Sequence, residues 1–75
     1  MTEEEFINIL KTGSFKERFD AVSRANPAYL TRAVSDKDEN IRYKAASRIP
    51  AQYLSLLRND ASERVRNIVS ERLKL

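Results

Sequence analysis

The sequence repeats itself with a period of 24 residues, and this periodicity constrains the fold more than any other feature. Residues 12–35 compared with residues 36–59 give six identities, which lie at Arg18, Ala21, Ser23, Arg24, Tyr29 and Leu30. In the next comparison, Arg42 and Arg48 fall on Arg66 and Arg72. A fixed period across two successive comparisons is typical of architectures in which one structural unit is stacked on the next.

Each repeat is predicted to contain a longer helix followed by a shorter one. Apolar residues of the second repeat recur at helical spacing, in a stripe of Ile41, Ala45, Ala46 and Ile49. Asp38 is the predicted N-cap of this helix, and Pro50 ends it because proline cannot donate a main-chain hydrogen bond. The shorter segment is predicted over residues 51–57. In the first repeat the apolar side is assigned to Phe15, Phe19 and Val22.

Capping signals predict where the other helices begin. Thr2 with Glu5, and Ser14 with Glu17, have the spacing of a capping box, and Ser62 precedes the helix of the third repeat. Gly13 lies where a left-handed C-cap would end the first helix. No segment alternates like a half-buried strand. We therefore predict one all-α domain, with a capping helix over 1–11, repeats over 12–35 and 36–59, and a partial repeat over 60–75.

The composition excludes several classes of chemistry. The chain has no cysteine and no histidine, which removes disulfides, thiol nucleophiles, Ser-His and Cys-His catalysis and most zinc sites. The sequence contains no phosphate-binding loop, dinucleotide fingerprint or nucleophile elbow. We therefore expect no enzyme activity, no cofactor and no bound metal.

Hydropathy and charge bear on location and partners. No apolar run approaches the roughly 18 residues needed to cross a bilayer, and the N-terminal segment lacks the basic leader and apolar stretch of a signal peptide. These features predict a cytoplasmic protein without a membrane partner. The formal net charge of +3 is compatible with an acidic protein or a nucleic acid as partner.

Two runs of the chain resemble a known repeat family. The runs AVSRANPAYL, from Ala21 to Leu30, and IRYKAASRIPAQYLSLLRND, from Ile41 to Asp60, resemble leucine-rich repeat variant units, which are bacterial repeats related to HEAT repeats. The resemblance covers residues 12–75 and implies a short right-handed α-solenoid of about two and a half helix pairs. It implies binding rather than chemistry. The iron–sulfur centre of some family members is not carried over, because its cysteines are missing here.

Stacking would align equivalent side chains of successive repeats into columns. One such column contains Arg24, Arg48 and Arg72, whose planar guanidinium groups suit bidentate contacts with phosphate or carboxylate groups. Tyr43 and Lys44 lie one turn earlier and would widen this candidate binding patch. The same arginines could instead pair with acidic residues or cap a neighbouring helix end. The sequence leaves both interpretations open.

A second column is predicted to be structural and contains Arg18, Arg42 and Arg66. Asp36 and Asp60 each precede one of these arginines by six residues. The family resemblance implies that Asp36, Arg42, Asp60 and Arg66 form a ladder between repeats, since a partly desolvated charge needs a partner. Thr12 holds the equivalent position in the first repeat, so we expect that rung to be incomplete.

Two further sets of residues are singled out by their position. Tyr29 and Tyr53 form an aromatic column, which we interpret as core with exposed hydroxyl groups. The third repeat lacks a shorter helix, so its apolar stripe is predicted to be an interface for self-association or partner docking. This stripe consists of Val65, Ile68, Val69 and Leu73.

These observations favour a small non-enzymatic module that binds another protein, as an adaptor or inhibitor, through a repeat face or its C-terminal end. One alternative is binding to nucleic acid phosphates through Arg24, Lys44, Arg48 and Arg72. Another is a structural homo-oligomer that binds no foreign partner.

Overall fold

A computed structural model describes residues 1–74 of the chain. Within that range it contains six helical segments and no strand, which confirms the predicted all-α class. The segments are α1 (Glu3–Thr12), α2 (Phe15–Arg24), the 3₁₀-helix η1 (Pro27–Ala33), α3 (Glu39–Arg48), the 3₁₀-helix η2 (Ala51–Leu57) and α4 (Glu63–Leu73). The predicted partial repeat ends on Leu75, which lies outside the described residues. No helix within 1–74 is long and apolar enough to cross a membrane.

The helices begin where the capping signals predict. The side chains of Thr2, Ser14, Asp38 and Ser62 each accept a hydrogen bond from a main-chain N–H in the first turn. Both predicted capping boxes are present, and their carboxylates accept from the N-cap N–H at 2.7 Å. Hydrogen bonds from the Ser14 main chain and hydroxyl lower the pKa of Glu17, since they favour the charged carboxylate.

Gly13 ends α1, but not with the predicted left-handed conformation. Its backbone is extended, with φ −77° and ψ 156°, so that prediction is wrong. Glycine is needed here for space, because a Cβ atom at this position would lie 2.6 Å from the carbonyl oxygen of Ile9. The tight turn brings the Gly13 carbonyl within 3.0 Å of the Arg18 guanidinium.

Successive α-helices pack side by side. Helix α3 contacts both α2 and α4, while η1 packs against α1 and α3 and η2 packs against α4. Small residues at equivalent positions, Ala21 and Ala45, are buried where the helices approach. Every helical segment contributes fully buried large side chains, and Ile49 adds one directly after α3. The full set is Phe6, Val22, Leu30, Ile41, Ile49, Leu54, Leu57, Val65 and Val69.

Two arginines that lie 24 residues apart join neighbouring helices through the same set of hydrogen bonds. Arg18, only 5% exposed, donates from Nε and Nη2 to the Asp36 carboxylate at 3.1 and 3.4 Å. Arg42 donates from the same two atoms to Asp60 at 2.9 and 3.2 Å, and from Nη1 to the Asp36 carbonyl at 2.8 Å. In the described residues, no buried side-chain nitrogen or oxygen lacks a hydrogen-bond partner. We call these two sets of contacts the Arg–Asp ladder.

The expectation of an incomplete first rung is wrong. Each arginine binds the carboxylate that lies 18 residues after it, so Arg18 pairs with Asp36 despite Thr12. Arg66 is exposed, and it donates from Nη1 to the Asp60 carbonyl at 2.7 Å. The physical reason is that a helical side chain points back towards its own N-terminus. At that end of the helix, the loop before the helix supplies only a main-chain carbonyl. The carboxylate comes from the loop before the following α-helix.

The ladder predicts a pH-dependent contribution to stability at Asp60. Burial by itself raises the pKa of this carboxyl group, but hydrogen bonds from Arg42 and the Ser62 N–H, and the charges of Arg42 and Arg66, lower it below its usual 3.8. The folded state therefore binds this proton more weakly than the unfolded state. The stabilisation is complete above the ordinary pKa and is lost as the pH falls through the lowered value.

We expect Asp60→Asn to lower the free energy of unfolding by about 2 kcal/mol at pH 7. The difference from wild type should shrink as urea unfolding is repeated from pH 4 towards pH 2. Asp20→Asn, at an exposed carboxylate 3.7 Å from Lys16, serves as control and should cost at most a few tenths of a kcal/mol. A wild-type advantage over Asp60→Asn that is the same at pH 7 and pH 2 would contradict this assignment.

Candidate functional site

The predicted arginine column does not form a single exposed patch. Arg48 donates from Nη1 to the carbonyls of Val22 and Ala25, at 2.7 and 3.0 Å, at the C-terminal end of α2. Arg72 donates in the same way to Ala46 and Ile49, at 2.9 and 2.5 Å, at the end of α3. Arg24, the first member of the column, is exposed.

These contacts correspond to the helix-capping alternative that the sequence left open. The last carbonyls of an α-helix have no partner within the helix, and the end carries a partial negative charge. A guanidinium group from the next helix satisfies two of those carbonyls and places a positive charge at the correct end. The donors on Nη1 of Arg48 and Arg72 are thus used within the chain.

The predicted C-terminal interface is also divided between core and surface. Val65 and Val69 are buried, with at most 1% of their surface exposed, because they pack against α3 and η2. Ile68 and Leu73 are half-buried and pack against the same core. The stripe as a whole therefore does not form an exposed interface, and only Ile68 and Leu73 of the four reach the surface.

Tyr43 and Lys44, which were predicted to widen the binding patch, lie instead in a groove of their own. The groove is open to solvent, has a volume of about 350 Å³ and runs across α2, α3 and α4. We call it the aromatic groove, and its lining residues are Phe15, Phe19, Asn40, Tyr43, Lys44 and Arg64.

The floor of the aromatic groove is built from aromatic rings. Phe15 and Phe19, one turn apart on α2, stack with ring centroids 5.8 Å apart. Phe19 and Tyr43 occupy equivalent positions of successive repeats, so side-by-side packing of α2 and α3 places them on the same face. Phe15 is 44% exposed, which is unusual for a phenylalanine and leaves part of its ring available for contact.

Cationic groups form the remaining wall of the aromatic groove. The Arg64 guanidinium lies 4.6 Å from the centre of the Tyr43 ring, within the range of a cation–π interaction. Its Nη1 donates to Oδ1 of Asn40 at 2.9 Å, which links α4 to α3 at this end of the groove. Lys44 adds a second positive charge. Among these lining side chains none is acidic, so the groove combines apolar surface with positive charge.

Phe15, Asn40 and Arg64 were not predicted as site residues, although the repeat contained a signal for Phe15. Its equivalents in the next two repeats are Glu39 and Glu63, both exposed. A phenylalanine in a column of exposed glutamates is expected at the surface, whereas the helical spacing alone assigned it to the apolar side. Arg64 gave no such signal, because its contact with Tyr43 depends on the packing of α3 against α4.

Neither a metal site nor a likeness to a known protein adds to this description. Within residues 1–74 no group of three or more acidic side chains is arranged to hold a metal ion. Comparison with protein-family models, with curated proteins and with solved structures finds no match. The proposal for the function therefore rests on the side chains of the aromatic groove.

The capping arginines and the exposed Arg24 should differ in how much stability is lost when each is substituted. Arg48→Ala should lower the free energy of unfolding by about 1.5–3 kcal/mol, because it removes a charged donor from two carbonyls at the end of α2. Arg24→Ala, at the equivalent exposed position, should change it by less than about 0.5 kcal/mol. Urea unfolding of the two variants measures both costs, and equal costs would contradict a capping role for Arg48.

Proposed function

We propose that this chain is a small non-enzymatic module that binds a segment of another protein in the aromatic groove. We further propose that its helices form a short right-handed α-solenoid of the HEAT-like or leucine-rich repeat variant type. The α-helices begin 24 residues apart, at Phe15, Glu39 and Glu63, and equivalent arginines make equivalent contacts. This regularity supports a stack of like units, each of which contacts its neighbours.

The observation that carries the binding proposal is the half-exposed Phe15 ring beside Tyr43 in a groove walled by Lys44 and Arg64. Aromatic and arginine side chains are enriched among the residues that dominate the energy of protein interfaces. A groove of about 350 Å³ lies at the small end of the range for ligand sites. It suits one or two side chains of a partner segment, and its open shape does not enclose a reaction.

The distribution of charge favours a protein partner over a nucleic acid. Binding to a phosphate backbone requires a track of available cations. Although the net charge is +3, the four arginines of the ladder and the helix caps bond within the chain, and they are Arg18, Arg42, Arg48 and Arg72. Glu39 and Glu63 directly precede the groove residues Asn40 and Arg64. These carboxylates would repel a long polyanion more than a partner with one or two acidic groups.

Selection from a random peptide library against the immobilised chain tests this proposal without assuming a partner. We expect peptides to be enriched, and we expect NMR titration of the ¹⁵N-labelled protein to shift amide signals of the aromatic groove. Tyr43→Ala should weaken binding of a selected peptide about tenfold or more, as is common for a tyrosine at the centre of an interface.

Tyr53→Ala is the matched control, because Tyr53, interpreted as core from the sequence, is in fact 37% exposed on η2 and lies outside the groove. It should leave binding unchanged, and circular dichroism melting should show that both variants fold. Peptides that shift signals elsewhere, or that lose affinity equally in both variants, would refute the groove as the site. Binding of a single-stranded oligonucleotide with a steep salt dependence would instead support the nucleic-acid alternative.

A further inference from the structure

The hydrogen bonds of Arg64 leave one edge of its guanidinium group facing no partner in the described residues. Nη1 donates to Asn40, and the guanidinium plane lies over the Tyr43 ring. The residue is exposed, and the hydrogen bond that its side chain makes within residues 1–74 comes from Nη1 and not from Nε or Nη2. Arg64 thus has two N–H groups on one edge that are free to bind an acceptor beside the Tyr43 ring.

Two other arginines of the chain also have Nη1 bonded to an oxygen atom, and in both of them the Nε–Nη2 edge binds a carboxylate. In both Arg18 and Arg42, Nη1 is held by a main-chain carbonyl, while Nε and Nη2 together hold one aspartate carboxylate. The Nε–Nη2 edge matches the spacing of the two carboxylate oxygens, and such bidentate pairs are stronger and more specific than single hydrogen bonds. The same edge of Arg64 is therefore suited to a carboxylate supplied from outside the chain.

The rest of the aromatic groove defines what accompanies that carboxylate. The stacked pair Phe15 and Phe19 and the ring of Tyr43 offer faces and edges to an apolar or aromatic side chain. Lys44, on the same turn of α3 as Tyr43, provides a point charge for a second acidic group. Charge complementarity thus favours an acidic segment over a basic one, because a lysine or arginine of the partner would face Arg64 and Lys44.

We propose that the aromatic groove recognises a short acidic protein segment in which a carboxylate binds the Nε–Nη2 edge of Arg64 and a neighbouring aromatic side chain packs on Phe15, Phe19 and Tyr43. This inference rests on the proposed function and specifies the chemistry of the partner. It makes Arg64 the residue that determines specificity, while the aromatic rings supply most of the buried apolar contact.

Two capped synthetic heptapeptides and two variants test the role of Arg64. The first peptide has one phenylalanine between a glutamate and an aspartate, with alanine at the other four positions. The second replaces the two acidic residues with glutamine and asparagine, which have nearly the same shapes without charge. By fluorescence anisotropy, the wild-type chain should bind the acidic peptide about tenfold more tightly. Arg64→Lys keeps the charge but removes the fork, so it should weaken the acidic peptide at least fivefold and leave the amide peptide unchanged.

Arg58→Lys is the matched control, since Arg58 is an exposed arginine outside the groove, and it should change neither affinity. If the amide peptide binds the groove as tightly as the acidic one, or if Arg64→Lys weakens both equally, the acidic partner is excluded while a binding groove remains. Tighter binding of a ten-nucleotide oligothymidine than of the acidic peptide also overturns the inference. If neither these peptides nor any library peptide shifts groove signals, the proposed function fails as well.

Discussion

An arginine that is withdrawn from water must find acceptors for its charged N–H groups, and this requirement organises the whole chain. In Arg18 and Arg42 the guanidinium group bridges the carbonyl of the loop before its own helix and the carboxylate of the loop before the next helix. One side chain therefore fixes two loops and the helices that begin from them. Removing either partner leaves a partly buried charge uncompensated, which costs about 2 kcal/mol, a large fraction of the stability that a 75-residue chain can reach.

The ladder and the helix caps act on opposite ends of the same helices. The Arg–Asp ladder holds the N-terminal ends together, and Arg48 and Arg72 hold the C-terminal ends by donating to carbonyls of the preceding helix. With both ends fixed, α2, α3 and α4 lie side by side, and side chains at a 24-residue spacing share one face. That face contains the aromatic groove. Its composition follows from two columns, because Phe15 replaces the glutamates found at positions 39 and 63, and Phe19 and Tyr43 occupy equivalent positions on neighbouring helices.

Much of the fold could be predicted from the sequence, because its signals are local. Thr2, Ser14, Asp38 and Ser62 mark helix starts by their own hydrogen bonding, and the apolar stripes identify half of the buried apolar residues. What could not be predicted depends on how one repeat lies against the next. Three such features are the aspartate that each arginine of the ladder binds, the carbonyls that Arg48 binds and the position of Arg64 over Tyr43. All three involve residues 18 to 26 positions apart in the sequence. The prediction for Gly13 was wrong for a different reason. Glycine is required there because a side chain would clash with Ile9, and not because the backbone is left-handed.

A double-mutant cycle on Arg42 and Asp60 tests the central claim most directly. The cycle compares the urea unfolding of the wild type, Arg42→Ala, Asp60→Ala and the double variant, so contacts made by only one of the two residues cancel. If the ladder joins the repeats, the coupling free energy should be about 1.5–3 kcal/mol, whereas the exposed pair Lys16 and Asp20 should give less than about 0.5 kcal/mol. Additive effects of Arg42→Ala and Asp60→Ala would contradict the account, because they would mean that this ion pair does not hold the neighbouring helices together.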